Sequence, residues 1–106
     1  MTKFMNATPH TLNIVCEDGS IREMAPSGIL PRLAQVREFS HVLEGIEIFQ
    51  VRMGALENLP EEDGETVYVV SRMVLDAARD RGDLLAPGEL VRDSSGKVIG
   101  CKGLSL

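Results

Sequence analysis

Thr66-Val67-Tyr68-Val69-Val70-Ser71 runs without a break into Arg72-Met73-Val74-Leu75-Asp76-Ala77-Ala78-Arg79-Asp80-Arg81. The first six residues are almost all β-branched or aromatic, which predicts a central strand buried on both faces. In the second stretch Met73, Val74, Ala77 and Ala78 fall on one helical face. Asp76 and Asp80 fall on another, with Arg72 and Arg79 nearby. Ser71 has the chemistry of a helix N-cap, and Gly82 that of a helix stop. A buried strand therefore feeds one short helix, and the one other stretch open to a helical reading is Arg32 to Leu43.

Outward from this junction the pattern is β. Met1 to Pro9 reads as a short strand ending in a polar turn. Thr11 to Cys16 alternates apolar and polar residues, as a half-buried strand does. Asp18-Gly19 is a hairpin signal, and Ser20 to Met24 is its return strand. Pro26-Ser27-Gly28 and Pro31 bound a loop. Arg32 to Leu43 fits a long, irregular strand better than a helix. Glu44-Gly45 turns it into a strand from Ile46 to Met53, which Gly54 ends. The first half thus reads as an antiparallel meander. Leu84 to Gly88 reads as a loop. Leu90 to Asp93 and Lys97 to Cys101 form a last hairpin around Ser95-Gly96. With no internal repeat and no linker, residues 1–106 are expected to form a single small globular domain. Its expected fold class is α+β: a mostly antiparallel β-sheet, able to curl toward a barrel, with one short α-helix after a central strand.

The 106 residues are 43% hydrophobic and 25% charged, as in globular domains. Trp is absent and aromatic content is 4%, so Val, Ile, Leu and Met must build the core. Such a core is not generous at this length, and a homo-oligomer is its natural supplement. The formal net charge of −5 argues against binding DNA or RNA along the backbone. A few arginines still suffice for a small anion. Cys16 and Cys101 have no CxxC partner and read as free thiols. No secretion signal and no membrane-length apolar run is found, so the expected location is the cytoplasm.

His10, His41, Cys16 and Cys101 are too scattered to predict a metal site. The acids from Glu61 to Glu65 lack the spacing of a calcium loop and read as a solvated loop. No nucleophile elbow, dinucleotide fingerprint or P-loop occurs, so no catalytic residue and no cofactor is assigned. Two features carry chemistry. The helix start at Ser71-Arg72 joins a hydroxyl, a guanidinium and orphan N–H groups, a combination suited to phosphate or carboxylate. In Asn6-Ala-Thr-Pro-His10, Pro9 rigidifies a turn that holds Thr8 and His10 in fixed directions. The bland alternatives are a capped helix and a polar turn that satisfies its own backbone.

Asn6-Ala-Thr-Pro-His10, Pro26-Ser-Gly28, Gly45-Ile46, Gly54 with Leu59-Pro60, Thr66-Val-Tyr-Val-Val-Ser71, Val91-Arg-Asp93 and Val98-Ile-Gly100 form an ordered series. It resembles a family of small uncharacterised phage and prophage proteins whose N-terminus reads N-L-T-P-H and whose central strand reads Y-I-V-S. Ala7 and Val69 depart mildly from that pattern. The resemblance implies a phage accessory setting, in which small anti-defence proteins sequester cyclic-nucleotide immune signals. The leading expectation is therefore a non-enzymatic, homo-oligomeric protein that sequesters an anionic nucleotide-like ligand. Ser71 and Arg72 would hold phosphate, Asn6, Thr8 and His10 base or ribose, and Arg37 a second charge. The alternative is a protein–protein module, a phage structural accessory or an inhibitor of a host protein, whose acidic surface suits a basic partner. A third reading is a nucleotide-cleaving enzyme with His10 as general base.

Overall fold

Asn6 closes the sheet, and most of the architecture can be traced from it. The computed structural model describes residues 2–106; Met1, where the first predicted strand begins, lies outside the described residues. Strand β1 (Lys3–Asn6) lies parallel to β6 (Thr66–Val69), with Asn6 opposite Val69. At its end Asn6 also bridges in parallel to Pro26, just past β3 (Ile21–Met24). The strands between are β7 (Leu84–Arg92), β8 (Val98–Ser105) and β2 (Leu12–Val15), in the order β1-β6-β7-β8-β2-β3. The bridge joins the two ends of this order, so the sheet is nearly closed and barrel-like. The fold is mostly β with one short helix, as expected.

The sheet is mixed, however, and not mostly antiparallel. β1–β6, β6–β7 and β2–β8 are parallel pairs, whereas β2–β3 and β7–β8 are antiparallel. The difference arises at 84–88, read from sequence as a loop because of Pro87-Gly88. Leu84 and Leu85 instead pair with Tyr68 and Val69, so β7 begins there. The segment between β6 and β7 is thus a crossover carrying a helix, the connection a parallel pair needs. Pro87 is tolerated opposite Leu104, near the start of β7.

Helix α1 (Arg72–Ala77) is capped by Ser71, whose Oγ accepts from the Val74 N–H at 3.3 Å. It ends at Ala78, short of the predicted Gly82. Val74, Leu75 and Ala78 bury against Tyr68, Val70, Leu84 and Ala86, which with Ala7 form the core. Val69 is fully buried on the opposite side of its strand, as the unbroken apolar run predicts.

Gly100 makes the β2–β8 pairing possible. A Cβ there would stand 2.5 Å from the Asn13 carbonyl oxygen, inside contact distance, so only glycine lets these backbones approach.

β4 (Arg32–Leu43) and β5 (Ile46–Glu57) form a separate two-stranded hairpin, turning at Glu44-Gly45 with both residues at positive φ. The predicted strand at 32–43 is therefore present, but β5 runs through Gly54 to Glu57. At the hairpin base Leu56 packs on the core, together with Leu59 and Ile29. From Gln35 to Ala55 every residue is exposed except half-buried Ile48.

Candidate functional site

Five of the six sequence-predicted site residues lie toward one end of the sheet. Parallel β1 and β6 finish side by side, with the Ala7 N–H donating to the Val69 carbonyl at 2.8 Å. The turn from Asn6 to His10 and the Ser71-Arg72 junction therefore leave the sheet from adjacent strands. Ligands of α/β sheets commonly sit beyond the carboxyl ends of parallel strands. The sixth residue, Arg37, lies on the β4–β5 hairpin, its guanidinium 5.1 Å from the Phe49 ring centroid.

The polar atoms at that end are largely committed to the fold. Asn6 is buried, and its Nδ2 donates to the carbonyls of His10 at 2.7 Å and Met24 at 3.0 Å. Its Oδ1 accepts from the Thr8 N–H at 3.0 Å and the Thr8 hydroxyl at 2.6 Å. These four bonds use the full capacity of the amide. The Asn6 carbonyl accepts in turn from the Ser27 N–H and hydroxyl at 2.9 and 2.8 Å. Asn6 and Thr8 thus tie β1 to the chain beyond β3. Sequence reasoning missed this role, although the polar-turn alternative described it in part.

The groups there that face solvent are Ser71, Arg72 and His10. The Ser71 hydroxyl caps α1, and one Arg72 nitrogen donates to the Leu106 carbonyl at 2.9 Å. The other Arg72 N–H groups have no hydrogen-bond partner among the described residues.

The acidic loop is ordered by its own residues. Asp63 accepts from the N–H groups of Glu65 and Thr66 at 2.9 and 2.7 Å and from the Thr66 hydroxyl at 2.8 Å. These donors favour the carboxylate and hold its pKa down to about 2. Arg81 forks onto Asp83 and reaches back to the Pro60 carbonyl. No group of three or more His, Cys, Asp or Glu among the described residues could hold a metal ion. Cys16 and Cys101 are free thiols. Among the described residues no helix is long and apolar enough to cross a membrane.

The surface feature that sequence reasoning did not single out is the hairpin. Residues directly opposite across an antiparallel pair share a face. By the observed register, one face carries Gln35 with Met53, Arg37 with Val51, Phe39 with Phe49, and Val42 with Glu47. The other carries Val36 with Arg52, Glu38 with Gln50, His41 with Ile48, and Leu43 with Ile46. An extra residue at Ser40, between Phe39 and His41, resets the alternation of β4. On the first face Phe39, Val42, Phe49, Val51 and Met53 expose 40–58% of their surface. The available signal was alternation of apolar residues in two long strands with nothing else in the chain to cover them.

A shallow apolar cleft of about 290 Å³ lies between β2, β7 and β8, lined by Thr11, Leu12, Pro87, Leu90, Val98 and Ile99. It includes none of the six predicted site residues. Set against known protein families, curated proteins and solved structures, the chain matches none of them.

Proposed function

We propose that this protein is a non-enzymatic protein–protein interaction module whose docking element is the β4–β5 hairpin. The observation that carries this reading is the array of apolar side chains exposed on an arm that the body does not cover. An isolated two-stranded hairpin is marginal in water, and exposed apolar arrays of this size are where proteins meet partners. The radius of gyration, 17.4 Å, exceeds the roughly 13 Å of a compact chain this long, as a projecting arm requires. The resemblance to small phage proteins supports a phage accessory setting, in which the partner is a host or phage protein or a second copy.

The test is a pull-down from host lysate with the full chain and with the double variant Phe39→Asp, Phe49→Asp. The native arm should retain a stoichiometric protein that the variant loses. Equal recovery by both, from a native chain that is itself monomeric, would remove the arm from the function.

The juxtaposition of the Thr8–His10 turn and the Ser71-Arg72 junction favours a second reading, sequestration of an anionic nucleotide-like ligand at the carboxyl ends of β1 and β6. In that reading Arg72 holds phosphate and His10 faces the base or ribose, while Asn6 and Thr8 shape the turn. A thermal-shift screen against linear and cyclic nucleotides and ADP-ribose derivatives tests it. One ligand should raise the melting temperature of the native chain and leave the Arg72→Ala variant unmoved. An unshifted melting temperature across the screen would eliminate it.

A further inference from the structure

Resting on the hairpin as a docking arm, we infer that its occupant is the same hairpin of a second copy. The two arms stack through the Phe39–Phe49 face about a two-fold axis.

Charge decides which face is used. On the opposite face Glu38 and Arg52 are ion-paired with each other, so that face is satisfied within its own chain. On the aromatic face Arg37 and Glu47 are the charged residues from Gln35 to Met53, and neither has an ion-pair partner among the described residues. Phe39 and Phe49 pack edge to face between them, with centroids 6.1 Å apart. Along β5, Val51 is two residues toward the base from Phe49, and Glu47 two residues toward the tip. Arg37 lies in the Val51 row and Val42 in the Glu47 row.

A two-fold axis lying between the stacked faces, along the line from Phe39 to Phe49, exchanges those two rows. Val42 of one copy then faces Arg37 of the other and Glu47 faces Val51, so that Glu47 of each copy shares a row with Arg37 of the other, one strand across, twice. One surface is thereby complementary to itself, as an isologous contact requires. Between residues 32 and 57 there are three arginines and four glutamates. The arm is thus nearly neutral on a chain of net charge −5, and two copies meeting arm to arm keep their acidic bodies apart.

The face has the make-up of an interface. Its five apolar side chains expose 40–58% of their surface, two of them aromatic, and the exposed polar side chains of Gln35, Arg37 and Glu47 rim them.

The test combines sedimentation velocity with charge exchange. The native chain should sediment as a dimer at about 100 µM, a concentration at which even a micromolar dissociation constant leaves most copies paired. Arg37→Glu and Glu47→Arg should each weaken dimerisation on the order of tenfold or more, because each places two like-charged pairs across the interface. An equimolar mixture of the two variants should recover the dimer, since the heterodimer restores two opposite-charge pairs. A misfolded arm could not be rescued in this way.

A monomeric native chain would overturn the inference, as would a dimer indifferent to both reversals, or variants that fail to rescue each other. A monomer whose arm still retains a lysate protein would leave the docking-arm reading standing with a different occupant. A monomer whose arm retains nothing would remove both.

Discussion

Replacing Arg81 with Met should destabilise the protein by about 3 kcal/mol, far more than an ordinary surface charge. The guanidinium donates from Nε to Asp83 Oδ1 at 2.9 Å and from Nη2 to Asp83 Oδ2 at 2.7 Å. Nη2 also donates to the Pro60 carbonyl at 2.8 Å. The paired side chains are only 18% and 11% exposed, so water does little to screen them. The fork onto Asp83, with its hydrogen bonds and charge, raises the Arg81 pKa further, and the guanidinium stays charged at every accessible pH. Met keeps most of the stem's volume but strands a mostly buried Asp83 carboxylate. Bonds to charged groups contribute about 1.5–3 kcal/mol each, and the fork acts as a unit rather than a sum. The exposed Glu62, 3.3 Å from Nε, adds little. Unfolding entropy for 106 residues is near 0.22 kcal/mol per kelvin, so 3 kcal/mol corresponds to a fall of roughly 13 °C in melting temperature. Thermal unfolding followed by circular dichroism measures it directly. Arg81→Lys should recover only part of the loss, because an ammonium cannot fork. Adding Asp83→Asn to Arg81→Met should cost less than the two single losses together. A fall below about 3 °C for Arg81→Met would show that the pair is solvated and the reasoning wrong.

Gly100→Ala should destabilise by about 2 kcal/mol or more, since the new Cβ meets the Asn13 carbonyl at 2.5 Å and one backbone must retreat; a urea midpoint equal to the native one would contradict the β2–β8 register. Ser71→Ala should cost about 1 kcal/mol through the lost bond to the Val74 N–H, read in the same titration, and no loss would mean the α1 cap is redundant. Asp63 has a lower pKa folded than unfolded, so its contribution is present above the ordinary value of 3.8 and fades as pH falls through about 2. The native chain should therefore melt above Asp63→Asn at pH 6, with the gap narrowing between about pH 4 and pH 2; a gap constant across that range would refute the assignment.

How much of this was legible depended on how far each signal reached along the chain. Thr66 to Ser71 read as a strand buried on both faces, and β6 occupies Thr66–Val69 of it, because the pattern is local and unbroken. Asp18-Gly19, Glu44-Gly45 and Ser95-Gly96 all sit at turns, each with glycine at positive φ. Direction was not legible: nothing within 84–88 states that Leu84 lies parallel to Tyr68, and Pro87-Gly88 is a local turn signal that tertiary pairing overrides. Gly54 failed likewise, since β5 continues where Gly54 closely approaches Ala34. For the candidate site, sequence marked the Asn6–His10 turn as unusual but not why. Asn6 bonds to Met24 and Ser27, some twenty residues away, and such distant partners leave no local trace.

The arm and the body answer to different constraints. Among the described residues the core has small residues at Ala7, Ala78 and Ala86, and its largest fully buried side chains are Val69 and Val70, so it gains modestly from burial. Meanwhile Phe39 and Phe49, two of the three phenylalanines, are placed on the arm, where the monomer leaves them in water. Aromatic side chains stabilise a fold most when buried, so a chain with so few of them and no use for the arm would carry them in its body. Leu56 and Leu59 pack the arm's base onto the same core that includes Ala7, so the arm projects from a fixed root rather than a tether. A fixed root leaves less entropy to lose on docking, and that is the property the proposed docking role needs.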